Sequence, residues 1–127
     1  MTYEEIQEGN KLIAEFMDME LSDKQIQFDS RVYYKTPFLP VICAACDEQF
    51  AFHDEWNWLM PVVEKIQKLD YVCVIYGNYC NIIEKDLFIK KYDGDGFDID
   101  YYSESIDNVI EAVYKCVIEF IKWYNKK

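Results

Sequence analysis

The fold of this chain depends on residues 71–76, whose sequence is YVCVIY. The stretch is apolar at every position, which is typical of a β-strand that is covered on both faces rather than on one. Gly77 and Asn78 follow it directly, and this dipeptide favours a tight reversal of the chain. The sequence therefore predicts a β-hairpin in which residues 71–76 pair with residues 80–83.

Two amphipathic helices are predicted ahead of the hairpin. The first begins at Thr2, which forms a capping-box pattern with Glu5, and its apolar pattern fades after Met19. The second extends from about Asp54, the expected N-cap, to Leu69. Each helix carries its apolar residues on one face, so each can pack against the sheet.

A longer helix is predicted towards the C-terminal end of the sequence. Apolar residues recur at helical spacing from Ile106 to Tyr124, which corresponds to about six turns at ~3.6 residues per turn. Ser103 or Ser105 is the expected cap of this helix.

Weaker patterns predict the remaining strands. Residues 25–34 alternate between apolar and polar side chains, as the residues of a half-buried strand do. Residues 87–89 and 97–102 are further strand candidates, whereas residues 36–52 are expected to form an irregular loop with a short helical turn. The predicted order of elements is α-β-α-β-β-(β-β)-α.

This order predicts an α+β protein with a single domain over residues 1–127. A small, mainly antiparallel sheet with an apolar central strand needs helices on both faces to cover it. The expected architecture is therefore a three-layer α-β-α sandwich.

Three segments of the sequence resemble a known group of proteins. Residues 56–66 (WNWLMPVVEKI), residues 8–17 and the C-terminal residues 110–125 are similar to small uncharacterised proteins of Bacteroidetes genomes and their phages. The resemblance implies the fold of the phage α-β-α sandwich group and an origin in a phage or mobile element. It implies no activity, because none is established for that group.

The composition limits the classes of partner that the chain can bind. It carries 24 acidic and 13 basic side chains, a formal charge of −11, whereas surfaces for nucleic acids or anionic lipids need clustered Lys and Arg. No uncharged stretch approaches the ~18–20 residues that a membrane helix requires. We therefore expect a cytoplasmic protein with no membrane partner and no direct binding to nucleic acid.

One candidate metal site combines Cys43, Cys46 and His53. The Cys-x-x-Cys spacing provides one pair of zinc ligands, whereas structural zinc sites usually have two pairs. Small, mostly buried thiols are the alternative explanation, because free cysteine packs as a small hydrophobic residue. The balance favours thiols, and we expect no cofactor.

A second candidate is the acidic segment between residues 93 and 107. Its carboxylates and glycines are spaced as in calcium loops, but an EF-hand register would put Lys91 and Tyr102 at the first and last ligand positions. A solvated hairpin turn explains the same composition. Alternatively, the segment presents an acidic face that imitates a nucleic-acid backbone. That face consists of Asp93, Asp95, Asp98, Asp100, Glu104 and Asp107.

The sequence favours binding over catalysis, because its single histidine has no recognisable nucleophile motif beside it. The leading hypothesis is a small phage or mobile-element module that binds a host or phage protein and can form a homo-oligomer. Its expected contact surface is an irregular apolar segment formed by Phe38, Leu39, Val41 and Ile42. The alternative is an acidic nucleic-acid mimic that inhibits a host defence or DNA-binding protein. A structural zinc- or calcium-binding protein is the third hypothesis.

Overall fold

A computed structural model describes residues 1–20, 33–36, 44–46, 49–92, 101–104 and 108–126 of the chain. Within these residues the protein is mixed helix and strand, with antiparallel pairing in two small sheets, so it belongs to the α+β class. The elements in chain order are α1 (Tyr3–Phe16), β1 (Tyr33–Lys35), β2 (Ala44–Cys46), α2 (Trp56–Lys68), β3 (Tyr71–Tyr76), β4 (Tyr79–Glu84), α3 (Lys85–Tyr92), β5 (Tyr101–Glu104) and α4 (Val109–Asn125).

The predicted hairpin is confirmed. Strands β3 and β4 pair along their whole length, with Tyr71 opposite Glu84 and Tyr76 opposite Tyr79. Gly77 occupies the turn with φ +58, a left-handed conformation that glycine adopts without steric cost. Strand β5 pairs with the other edge of β4, so β4 is the central strand of a three-stranded sheet.

The central strand β4 is buried on both of its faces. Cys80 and Ile82 belong to the main hydrophobic core. Asn81 and Ile83 lie on the opposite face, since successive side chains of a strand alternate, and they are only 2% and 1% exposed.

The sequence predicted two-sided burial for residues 71–76, and that prediction is wrong. Strand β3 is an edge strand of the described sheet, residues 72–74 are half-buried and Ile75 is 38% exposed, so the strand covered on both faces is β4.

The main core lies between the sheet and the helices. Helix α2 packs against β3, α4 packs against β4 and β5, and α1 packs against α4. The apolar faces of α2 and α4 both appear where periodicity predicts them, and each includes four fully or almost fully buried residues. They are Leu59, Val62, Val63 and Ile66 in α2, and Val113, Val117, Phe120 and Ile121 in α4.

One of the three predicted helix caps is confirmed and two are wrong. The Thr2 hydroxyl accepts a hydrogen bond from the Glu5 amide at 3.1 Å. Helix α2 has Glu55 rather than Asp54 as its N-cap residue, and the Glu55 side chain makes no capping hydrogen bond. Asn108 rather than a serine caps α4, since its side chain accepts a bond from the Glu111 amide at 2.8 Å. The reason is that β5 extends to Glu104, so the chain leaves the sheet before the helix begins.

Two segments differ in type from the sequence prediction. Residues 87–89 lie in helix α3 rather than in a strand, because a short apolar run does not by itself distinguish the two. The segment predicted to be irregular contains strand β2, which pairs with β1 and forms the second sheet. Of the predicted strands 25–34 and 97–102, only residues 33–34 and 101–102 are described, and these are in strands.

Helices α1 and α4 are in contact at Gly9. A β-carbon built on Gly9 would lie 2.4 Å from Cδ1 of Ile118 and 2.4 Å from the hydroxyl of Tyr114. The close approach of the two helices therefore requires glycine, which has no β-carbon, at position 9.

Replacing Gly9 with alanine is expected to lower the free energy of unfolding by about 1–3 kcal/mol, because the new methyl group overpacks the contact. The sign is informative, since the same substitution at an open helical position stabilises by about 1 kcal/mol. Urea unfolding of G9A, with the exposed neighbour variant E8A as the control, measures the difference. A gain in stability would show that the helices do not approach each other as described.

Asn81 provides a second stability prediction, because its buried Oδ1 has no hydrogen-bond partner among the described residues. We expect N81V to raise the free energy of unfolding by about 1 kcal/mol, since valine removes an unsatisfied polar group and suits a strand. N81D, which buries a charge, should instead be strongly destabilised. A loss of stability in N81V would mean that the amide makes favourable contacts.

Candidate functional site

A buried polar cluster joins α1, α4 and the segment that precedes α2. Its centre is Asn10, which is 1% exposed. The Asn10 Nδ2 donates to the Phe50 carbonyl at 3.1 Å and lies 3.3 Å from Nδ1 of His53. The Tyr114 hydroxyl donates to Oδ1 of Asn10 at 2.9 Å. The amide group of Asn10 is therefore bonded at both its oxygen and its nitrogen.

His53, the single histidine of the sequence, belongs to this cluster. Because Asn10 presents an N–H donor, Nδ1 of His53 acts as the acceptor and the ring proton is assigned to Nε2. That nitrogen lies 3.6 Å from a carboxylate oxygen of Asp54. The ring also packs edge-on against Tyr114, with 6.1 Å between the ring centroids. These contacts orient the imidazole on two sides, which is the environment of a structural histidine.

A cleft of about 240 Å³ lies beside this cluster, with His53, Asp54 and Tyr114 among its lining residues. Among the described residues that line it, none is a serine, threonine or cysteine, so the histidine has no nucleophile to activate. Burial raises the pKa of Tyr114 well above its ordinary value, so its hydroxyl stays neutral and remains a donor.

Two of the three candidate metal ligands, Cys46 and His53, are among the described residues. Cys46 is fully buried, and its amide donates to the side-chain oxygen of Gln49 at 3.0 Å. Cys43 lies outside the described residues. Within the described part of the chain, no three His, Cys, Asp or Glu side chains are placed to hold a metal ion. A zinc site that includes Cys43 stays a prediction.

Three other thiols form a row from the sheet to α4: Cys73 in β3, Cys80 in β4 and Cys116 in α4. The sulfur atoms of Cys73 and Cys80 are 3.6 Å apart, and Cys80 is also hydrogen-bonded to Cys116. The bond to Cys80, together with burial, raises the pKa of Cys73. The bond to Cys116, together with burial, likewise raises the pKa of Cys80. Thiols held protonated in this way are poor nucleophiles, so Cys73 and Cys80 contribute packing rather than reactivity.

The two surfaces predicted from the sequence lie almost wholly outside the described residues. The apolar segment with Phe38, Leu39, Val41 and Ile42 is not described, and neither are five of the six residues of the acidic face. The sixth, Glu104, is the last residue of β5, where it pairs with Tyr79. Both surfaces stay predictions.

The structure instead shows a groove between α1 and α4, which we call the helix-pair groove. Its volume is about 590 Å³, and it is lined at its base by Gly9, Leu12 and Ile118. Ile118 is buried and Leu12 is half-buried, so the base is apolar. This surface was not predicted from the sequence, although a glycine inside a helical pattern is a signal of close approach to a neighbouring element.

The two walls of the helix-pair groove differ in charge. The α1 wall contains three glutamates and one lysine, and the α4 wall contains two lysines and one glutamate. These residues are Glu5, Glu8, Lys11 and Glu15 on the α1 wall, and Lys115, Glu119 and Lys122 on the α4 wall. Two of the α4 lysines also form ion pairs within their own helix, Lys115 with Glu111 at 3.1 Å and Lys122 with Glu119 at 3.7 Å.

In comparisons with known proteins, no family model, no curated protein and no solved structure matches this chain. The resemblance to the phage α-β-α sandwich group therefore stays a prediction. Among the described residues, none of the helices combines the length and the apolar composition needed to cross a membrane.

The role of Tyr114 gives a prediction about alkaline pH. Its pKa is raised in the folded state, whereas in the unfolded state it deprotonates near its ordinary value of about 10. The stability that Tyr114 contributes is therefore complete below about pH 10 and is lost as the pH rises above it. At neutral pH we expect Y114F to be less stable than the wild type by about 1–2 kcal/mol, because the buried Oδ1 of Asn10 loses the hydroxyl that donates to it.

Above about pH 10 this difference should shrink by up to ~1.4 kcal/mol per pH unit, since only the wild type has the titrating group. Urea unfolding of both proteins at several pH values measures the difference. The exposed Tyr3 gives the control variant Y3F, which should behave as the wild type does. A Y114F difference that stays constant to about pH 11 would contradict the burial of the neutral hydroxyl.

Proposed function

We propose that this protein is a small acidic interaction module that binds another protein through the helix-pair groove. The observation that carries the proposal is the combination of an apolar base with two charged walls. The volume of about 590 Å³ lies within the ~300–1,000 Å³ range of binding clefts. A groove of this form, about 15 Å long between Glu5 and Glu15 of α1, suits a helical segment of a partner.

Binding rather than catalysis is proposed because the reactive side chains among the described residues already have structural roles. His53 is held by Asn10, Asp54 and Tyr114. The raised pKa values of Cys73 and Cys80 keep these thiols protonated. A group that is fully engaged in the fold is a poor candidate for proton transfer to a substrate.

The wider setting of the module is part of the proposal. We propose that the covered second face of β4, marked by Ile83 and Asn81, belongs to a three-layer α-β-α sandwich, with α3 in contact with β3 and β4. A cytoplasmic location is supported by the described cysteines, which form no disulfide with one another, as is typical of a reducing compartment. The phage or mobile-element origin rests on the sequence resemblance alone.

The function is tested by introducing a charge at the base of the helix-pair groove. L12D should weaken binding of a partner at least tenfold, or about 1.4 kcal/mol, because a carboxylate would be desolvated against apolar surface. The matched control is M60D, which places the same charge on Met60, an exposed apolar residue of α2. Affinity purification from cells that naturally express the chain identifies a partner, and calorimetry with that purified partner measures the three affinities.

Wild type and M60D should bind the partner equally, and L12D should bind it weakly while unfolding at a similar urea concentration. Equal binding by L12D and M60D would show that the groove is not the contact surface. Failure of any protein to co-purify in stoichiometric amount with the wild type would reject the binding of a host or phage protein.

A further inference from the structure

We infer that the helix-pair groove docks a second copy of this chain, which forms a two-fold symmetric dimer of α1–α4 pairs. The inference rests on the proposed function only in taking this groove as an interaction surface, and it names the partner. Three observations carry it: the opposite charges of the two walls, the parallel course of the helices and the near-neutral balance of the groove in an acidic chain.

The opposite charges of the walls select one dimer geometry. The α1 wall has a net charge of −2, from three glutamates and one lysine, and the α4 wall has a net charge of +1, from two lysines and one glutamate. In a two-fold dimer both copies use the same surface, so if one residue contacts a second residue of the other copy, the reverse contact also forms. An axis parallel to the helices places each α1 wall against the α4 wall of the other copy. An axis across the helices would place like walls together, which is repulsive.

The helices are in the right relative position for this geometry. Gly9 lies beside Tyr114 and Ile118, and Phe16 contacts the rings of Phe120 and Tyr124. Residue 9 of α1 contacts residues 114 and 118 of α4, and the later residue 16 contacts the later residues 120 and 124. The two helices therefore run parallel. A two-fold axis parallel to the helices does not move a residue along the helix direction, so each residue has the same height, meaning its position along that direction, in both copies.

Along the helix direction, the order of charges from Glu8 to Glu15 on the α1 wall is negative, positive, negative, and the order from Lys115 to Lys122 on the α4 wall is positive, negative, positive. To within about one turn, Glu8 is level with Lys115 and Glu15 is level with Lys122. Lys11 and Glu119 occupy the intermediate positions on their walls, with the signs reversed. The dimer would therefore bring three pairs of opposite charges together on each side of the axis. The ion pair of Lys122 with Glu119 is solvent-exposed and weak, so it does not prevent this exchange. The pair of Lys115 with Glu111 is partly buried, with side chains 36% and 18% exposed, so Lys115 would be shared between Glu111 and the second copy.

The overall charge of the chain also favours this surface for self-association. Two chains of −11 repel each other over most approaches. The seven charged residues of the groove sum to only −1, from four glutamates and three lysines. A second copy thus meets little repulsion at the groove, while the half-buried Leu12 of each copy can pack on the apolar base of the other.

The test uses charge reversal on each wall, with sedimentation velocity of the full chain from micromolar to millimolar concentration. We expect the wild type to form a dimer at the upper concentrations. E15K and K122E should each weaken self-association at least tenfold, because like charges then face each other across the axis. An equal mixture of E15K and K122E should recover the dimer, since each altered wall then meets its complement in the other variant.

The control variants E64K and K68E carry the same changes of net charge on exposed positions of α2, away from the groove. They should self-associate as the wild type does. Recovery in the mixture also shows that each variant is folded. A wild type that stays monomeric at every concentration overturns the inference, and the binding of another protein is still decided by the L12D experiment. Control variants as weak as E15K and K122E, or a mixture that does not recover, also overturn it.

Discussion

The side chain of Asn10 connects three parts of the molecule, and the relative position of these parts depends on it. An asparagine that is 1% exposed must satisfy its polar atoms within the protein, because a buried group left without a partner costs about 1–3 kcal/mol. Its partners come from Phe50, His53 and Tyr114, which are 40, 43 and 104 residues away in sequence. The bonds are directional, so α1 can adopt only one rotation and height against α4.

Two contacts of different kinds hold α1 against α4. In the middle of α1 the polar cluster around Asn10 fixes the helix, and at its last residue Phe16 packs edge-on against Phe120 and Tyr124. Lys65 of α2 donates to the Phe16 carbonyl and lies 4.6 Å from the Phe16 ring. A cation at this position suits the negative end of the α1 dipole, which has no basic residue of its own in its last turn. The helix-pair groove is therefore bordered by two rigid contacts.

Local patterns in the sequence predicted the elements whose formation depends on local signals. The hairpin followed from an apolar run and a turn dipeptide, and the apolar faces of α2 and α4 followed from periodicity. The cap of α4 and the helical state of residues 87–89 were predicted wrongly, because both depend on where the neighbouring strands end. Gly9 and Asn10 were not identified, since their importance comes from side chains more than 100 residues later in the chain, Tyr114 and Ile118. The groove could not be predicted without that contact.

The net charge of the chain is a poor guide to the chemistry of its individual surfaces. A charge of −11 argues against a partner that is itself polyanionic, but it does not determine how charges are arranged on one pair of helices. On the groove walls the spacing of glutamate and lysine matters more than their number, because screening at physiological salt limits exposed charges to a range of about 8 Å. Alternation along parallel helices converts an acidic chain into a surface with ordered positive and negative positions. Such a surface distinguishes partners by register, which a uniformly acidic face cannot do.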